Sequence, residues 1–278
     1  MTRRGAWPPV PEALPAPIVD NHCHLDFPAG DEPLSVDTRL QQAADAGVTR
    51  VVQIGCDLES ARWTAEAVTA FPQMLGGVAL HPNDAAVLAA EGTYDEAFAE
   101  IATLARGERI RVVGETGLDT FRTGPEGHDA QVRAFRDHIA LAKELGKPLQ
   151  IHDRDAHAEV IDILLADGAP EVTVFHCFSG DAAMARLAAT EGWYLSFAGT
   201  VTFKNNDALR AAAAVTPLDH MLVETDAPFL TPHPHRGQPG SPAMAAITAR
   251  TLAEVLEADL EAFCTQIWQT SHNLYGPW

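Results

Sequence analysis

The sequence has few of the features that stabilise or anchor small extracellular domains. It has four cysteines, which are far apart and form no C-x-x-C pair: Cys23, Cys56, Cys177 and Cys264. This spacing argues against a zinc knuckle and gives no disulfide framework. No run of about 18 apolar residues could span a membrane, and prolines interrupt the N-terminal stretch where a signal peptide needs its apolar segment. We therefore expect a cytoplasmic protein with reduced cysteines.

Positive charge is also scarce. Lysine and arginine together number 19 against 38 aspartates and glutamates, which gives a formal net charge of −19. Such a balance excludes a broad basic surface that wraps a nucleic acid, and leaves room only for a small, locally positive site. The 278 residues, 46% of them hydrophobic, are enough for one large core.

Short apolar runs alternate with segments of helical periodicity along the chain. Eight strands are predicted at 18–24, 48–55, 74–80, 110–115, 148–152, 172–176, 193–197 and 220–226. Helices are predicted at 37–47, 58–71, 94–106, 128–146, 155–168, 181–192 and 206–215, followed by two more in 243–276. Eight alternating units predict a single α/β domain of the (β/α)8 TIM barrel class over residues 18–278, after a proline-rich lead at 1–17. An open doubly wound sheet is the alternative, but no G-x-G-x-x-G follows the first strand.

Polar side chains collect where these predicted strands end. His22 and His24 are two residues apart, so on a strand they face the same way. The other strand ends carry His81, Glu115, His152, His176, Glu224 and Asp226. Catalytic groups of barrels come from the C-terminal ends of the strands, and most of these residue types bind metals. A lone histidine at such a position can equally be a hydrogen-bonded core residue, but the joint pattern predicts a metal centre.

Six stretches carry a resemblance to a known family: DNHCHLD (20–26), LHP (80–82), GETGLD (114–119), IHDRDA (151–156), FHCFSG (175–180) and ETDAPFLTP (224–232). In this order the chain resembles the TatD family of metal-dependent deoxyribonucleases, within the amidohydrolase-like barrels. Two departures stand beside the expected substrate cleft. Gly240 replaces an asparagine that is usual in the family, and Thr120 stands where an aromatic residue is common.

The resemblance implies a hydrolase with two divalent ions, whose identity (Zn, Mn, Ni or Mg) stays open. One ion would be held by His22, His24, Glu115 and Asp226, and the other by Glu115, His152 and His176, with Glu115 as the bridge. The three lysines, Lys143, Lys147 and Lys204, lie at no strand 4 end, so the bridge must be a carboxylate rather than a carbamylated lysine. Asp226 and Glu115 are the expected catalytic residues, with Asp226 orienting the attacking water.

Other residues are expected to assist. His81, Arg154, Arg122 and Arg236 could hold phosphates, although the arginines could also be ordinary surface residues. Glu224, Asp119 and Asp26 could orient metal ligands, and the last two could instead cap helices.

The sequence is compatible with three functions. The first is a monomeric exonuclease that attacks a 3′ or 5′ end of single-stranded DNA, with RNA as another substrate. The second uses the same metals to hydrolyse an amide or ester, such as a lactone, a cyclic amide or an aminoacyl-tRNA bond. The third is a non-catalytic metal-binding scaffold, in which Asp226→Asn would leave the role of the protein intact.

Overall fold

The computed structural model describes residues 5–278, so the first four residues of the predicted lead lie outside the described part. Eight parallel strands form one sheet in chain order. β1 to β8 span Ile18–Cys23, Val48–Gly55, Met74–Val78, Ile110–Asp119, Leu149–Arg154, Thr173–Phe175, Tyr194–Phe197 and Met221–Val223. The strand count, order and parallel direction agree with the predicted barrel topology.

Ten α-helices occur among the described residues. α1 to α10 span Val36–Asp45, Leu58–Ala70, Pro82–Glu91, Tyr94–Leu104, Pro125–Leu145, His157–Asp167, Ala182–Glu191, Asp207–Ala213, Ala245–Val255 and Leu260–Tyr275. None of the helices in residues 5–278 is both long enough and apolar enough to cross a membrane.

Helix ends follow local sequence rules. α2 begins with a capping box, in which the Asp57 side chain accepts a hydrogen bond from the Ser60 amide at 2.8 Å and the Ser60 hydroxyl accepts one from the Asp57 amide at 3.0 Å. α3 is the helix that the sequence pattern missed. It begins with Pro82 directly after His81, and Gly92 follows its last residue in the left-handed conformation that caps many helices. These start and stop signals were present in the sequence, but the segment has a weak apolar face.

The chain forms two compact units. The first unit comprises residues 5–53 and 180–277. Within it β1 lies beside β8: Asn21 donates a side-chain hydrogen bond to the Val223 carbonyl at 2.9 Å, and Cys23 pairs with Ala227 in an isolated parallel bridge. α10 packs on both of these strands. The ends of β1 and β8 are thereby fixed against each other.

The second unit comprises residues 54–179 and Trp278. Its centre is β4, which is paired with β3 and with β5. β4 runs four residues further than predicted, because Thr116 to Asp119 pair in register with Ile151 to Arg154 of β5. The extension places Glu115 and Asp119, four residues apart on one strand, on the same face.

Candidate metal-binding clusters

In the first unit, the side chains of His22, His24 and Asp226 lie close together. We call these three residues the first cluster. Nε2 of His22 lies 3.2 Å from Nε2 of His24, which lies 3.2 Å from Oδ1 of Asp226. Nε2 of His22 is 3.9 Å from the same oxygen. Ligands bound tetrahedrally to zinc at about 2.0–2.1 Å stand about 3.3 Å apart, so these spacings suit one ion.

The backbone explains why the first cluster forms. His22 and His24 share a face at the end of β1, and both rings are buried. The Asp226 amide donates to the His22 carbonyl at 2.9 Å, and the His24 amide donates to the Ala227 carbonyl at 2.7 Å. Asp226 itself is in the left-handed region with φ of 55°, a conformation that is uncommon for a residue with a side chain. The paired backbone of β1 therefore holds the Asp226 carboxylate beside the two rings.

Asp20 was not predicted from the sequence, and it holds the residue before Asp226 in place. Its fully buried carboxylate accepts hydrogen bonds from the Thr225 amide at 2.9 Å and from the Thr225 hydroxyl at 2.6 Å. Burial raises the pKa of Asp20 well above its usual value, although the bonds from Thr225 oppose that shift. Asp20 thus ties the segment before Asp226 to β1. The signal was visible as an aspartate inside an apolar strand, which needs donors to be buried.

In the second unit, Glu115, His152 and His176 form the second cluster. Oε2 of Glu115 lies 2.7 Å from Nε2 of His176 and 3.1 Å from Nδ1 of His152. All three ligand atoms lie within 4.8 Å of one another. Glu115 lies on β4, His152 lies on β5 and His176 directly follows β6, so three neighbouring strands present one donor each.

Asp119 contacts the other nitrogen of the His152 ring. Its Oδ2 lies 3.4 Å from Nε2 of His152 and accepts a hydrogen bond from the Asn83 side chain at 3.0 Å. Burial would raise the pKa of Asp119, but the contacts with His152, Asn83 and the Arg122 amide lower it well below its usual value. Burial lowers the pKa of His152, yet Asp119 and Glu115 outweigh it and the pKa ends above the usual value. A carboxylate placed in this way fixes the orientation of a ligand histidine.

His81 packs against the same ring, with the centroids 4.4 Å apart. Burial, followed by the nearby His152, lowers the pKa of His81 to about 3, so its ring is neutral at pH 7. Nδ1 of His81 accepts a hydrogen bond from the Asn83 amide at 3.1 Å. The single proton of the neutral ring must therefore be on Nε2, which makes that atom a hydrogen-bond donor.

Cys56 is a second neighbour that the sequence did not reveal. Its thiol donates to Oε1 of Glu115 at 3.2 Å, while the partners of Oε2 are the two histidines. Cys56 follows β2 and is 59 residues from Glu115, so only the paired strands bring them together. The thiol therefore contacts one carboxylate oxygen of Glu115, while the other oxygen faces the two histidines.

The residues predicted to hold phosphates are divided between the units. Arg154 and Arg122 lie in the second unit: the Arg154 guanidinium is 4.1 Å above the Phe121 ring, and Arg122 is exposed on the turn after β4. Arg236 is in the first unit, 4.4 Å above the ring of Phe203. Asp26 accepts a hydrogen bond from Gln53 at 2.7 Å, and Glu224 is fully buried directly after β8.

Both clusters fit a divalent ion by their chemistry. Each offers two imidazole nitrogens and a carboxylate, a mixed set that suits Zn and other first-row divalent ions. Four of the six donor residues are buried, where carboxylates and imidazoles need a cation or a hydrogen-bond partner. These clusters support the use of divalent metal by this chain.

Known proteins are similar to this chain in sequence and in fold. The model of the family described as TatD related DNase matches residues 19–276. An uncharacterized metal-dependent hydrolase TatD from Mycobacterium tuberculosis is 43% identical over 93% of this chain and 98% of its own length. The metal-dependent hydrolase YabD of Bacillus subtilis is 34% identical over 93% of this chain and 98% of its own.

A solved structure, the TatD homologue YjjV from Escherichia coli, superposes with a TM-score of 0.83 at 26% identity, over 93% of this chain and 97% of that one. This match and the eight-stranded parallel sheet confirm the predicted (β/α)8 TIM barrel. Together with the two clusters, the relatives identify a metal-dependent hydrolase. The chain belongs to the family of TatD-related DNases.

Proposed function

We propose that this hydrolase cleaves phosphodiester bonds at an end of a nucleic acid strand, with one divalent ion in each cluster. The observation that supports it is the set of groups around the second cluster. His81 lies next to these ligands as a neutral imidazole that carries its proton on Nε2. Arg154, two residues beyond His152, adds a guanidinium group. Hydrogen-bond donors and guanidinium groups are what a phosphodiester needs around a metal centre.

Each residue near the clusters would have a separate role in phosphodiester hydrolysis. Divalent ions, when bound, would lower the pKa of a water molecule and stabilise negative charge on phosphoryl oxygens. Asp226 keeps 16% of its side chain exposed, so its carboxylate can reach a water and accept the proton. Glu115 would hold the ion of the second cluster together with His152 and His176. His81 and Arg154 would bind the non-bridging oxygens and orient the strand.

The acidic surface limits the length of strand that can bind. A net charge of −19 repels a polyanion, so affinity must come from the metal ions and a few local donors. This favours attack at a strand end or on a short oligonucleotide. The monomeric state and the cytoplasmic location expected from the sequence belong to the same proposal, and the four cysteines, none of them disulfide-bonded in residues 5–278, suit a reducing compartment.

The test is degradation of a single-stranded oligonucleotide labelled at its 3′ or 5′ end, with Mg²⁺ or Mn²⁺ added. Laddering from one end is expected for the wild-type protein and for Asp129→Asn, a control at an exposed carboxylate. Glu115→Ala and Asp226→Asn should abolish it. No cleavage with either ion, together with turnover of a lactone or a cyclic amide, would overturn the proposal in favour of carbonyl hydrolysis.

A further inference from the structure

One side chain of the second unit is exposed although it is aromatic. Phe121 keeps 64% of its surface accessible, and it is the only exposed aromatic side chain in residues 5–278. It lies on the turn after β4, two residues beyond Asp119, whose carboxylate touches His152. Two residues of backbone span at most about 7 Å, and the Phe121 amide donates to Asp119 at 3.0 Å, so the turn that carries the ring borders the second cluster.

The ring is held firmly in this exposed position. The amides of Phe121 and Arg122 donate to Oδ1 of Asp119 at 3.0 and 2.8 Å. Thr120 binds the neighbouring β5 end twice, through its amide to the Arg154 carbonyl at 3.1 Å and through its hydroxyl to the Asp155 carbonyl at 2.8 Å. A ligand that stacks on this ring therefore does not have to order the turn.

Arg154 defines the chemistry of the ligand. Its guanidinium carbon lies 4.1 Å from the centroid of the Phe121 ring, so a positive charge is fixed against one face. A ring beside a guanidinium, next to metal ligands, matches a nucleotide, which has a flat base and an anionic phosphate. A protein partner would need a larger apolar patch, and the turn offers this one side chain.

We propose that Phe121 is the stacking position for a nucleobase of the substrate strand, with Arg154 bound to the adjoining phosphate. This inference rests on the proposed nuclease function and names the part of the substrate that is recognised besides the scissile phosphate. Because every base has an aromatic face, stacking of this kind tolerates any sequence. Thr120 leaves Phe121 as the one aromatic residue of this turn.

The experiment couples removal of the ring to removal of the base. KM for a labelled six-residue oligonucleotide is measured with wild-type protein and Phe121→Ala, using the intact strand and strands with one abasic position. We expect Phe121→Ala to raise KM about 5- to 150-fold on the intact strand, the usual range for one stacked base. At one abasic position, the increase in KM caused by the missing base and the increase caused by Phe121→Ala should not add. Phe121→Trp should restore the wild-type KM on the intact strand.

A control variant and a separate measurement of binding distinguish failure of the stacking proposal from failure of the nuclease function. Leu165→Ala removes another exposed apolar side chain of the second unit, on α6, and should leave the abasic pattern unchanged. If wild-type protein cleaves the strand and Phe121→Ala has the same KM, the stacking proposal is wrong while the nuclease function stands. If no strand is cleaved, the nuclease function fails, and fluorescence anisotropy of the same oligonucleotides decides the stacking. Binding that requires both ring and base supports the stacking, and binding that is absent or independent of Phe121 overturns it.

Discussion

Oδ2 of Asp119 lies 3.4 Å from Nε2 of His152, while Nδ1 of the same ring lies 3.1 Å from Glu115. The imidazole thus lies between a carboxylate that would share an ion with it and a second carboxylate on the other side of the ring, which we expect to orient it. This arrangement separates the binding of a metal from the positioning of its ligand, and the two roles can be tested apart.

Asp119→Asn should weaken metal binding without unfolding the protein. The amide keeps the shape of the side chain but loses the charge that orients and polarises His152, for which a 10- to 100-fold loss of affinity is typical. Affinity is measured by competition with a chromophoric chelator, and Asp129→Asn serves as the exposed control. Equal affinities for both variants would assign Asp119 to capping the turn at Phe121 and Arg122 alone.

Gly117→Ala should destabilise the second unit. Gly117 has φ of +138°, and an added Cβ would lie 2.1 Å from the carbonyl oxygen of His152. We expect the free energy of unfolding to fall by about 2–4 kcal/mol, read from the midpoint of urea denaturation.

Gly92→Ala is the matched control for that substitution. Gly92 also has a positive φ, +75°, but an added Cβ there meets no atom within 4 Å. Only the backbone conformation then costs energy, about 1 kcal/mol. Equal losses for the two alanine variants would show that the close approach of β4 and β5 is relieved at little cost.

His138 should make the protein less stable in acid. Its ring is fully buried, donates to the Ala134 carbonyl and accepts from the Leu80 amide, and burial lowers its pKa to about 4. The unfolded chain takes up the proton near pH 6.5, so stability falls as the pH drops from about 6.5 to about 4 and levels off below. The loss from this one group is about 3 kcal/mol.

Urea denaturation at pH 7 and pH 4.5, with a chelator present, measures this effect. His138→Gln keeps an acceptor for Leu80 but does not titrate, so its stability should change less between the two pH values than that of the wild-type protein. The same pH dependence in both proteins would contradict a buried neutral His138.

Much of the site follows from one rule about strand ends. The sequence predicted strand ends at or next to five ligand candidates: His22, His24, Glu115, His152 and His176. The structure has the first two and His176 there, whereas β4 and β5 continue beyond Glu115 and His152. Period-two alternation was enough to put His22 and His24 on one face. This reasoning works because parallel strands in sequential order present their ends at one edge of a sheet.

The neighbours of those ligands depend on contacts that no local pattern encodes. Cys56 reaches Glu115 across 59 residues, and Asp20 reaches Thr225 across 205. The exposure of Phe121 likewise depends on how Asp119 turns the backbone after β4. Strand ends predict which residues can act, whereas pairing and packing decide what each one touches.

Weak dependence on salt is expected for oligonucleotide binding. With a net charge of −19, few phosphates can be neutralised, so the logarithm of affinity should fall with a log salt slope shallower than about −2. Anisotropy titrations between 50 and 300 mM salt measure that slope. A slope near −4, which corresponds to about six phosphates, would require an extended basic track that the composition does not offer.

The metal content of three purified proteins tests the two clusters most directly. Elemental analysis after dialysis against Zn²⁺ or Mn²⁺ should give two equivalents per chain for the wild-type protein. His24→Ala, in the first cluster, and His152→Ala, in the second, should each retain fewer equivalents and lose hydrolase activity. Wild-type protein that binds no metal, or variants that match it in both metal content and turnover, would contradict a hydrolase built on these two clusters.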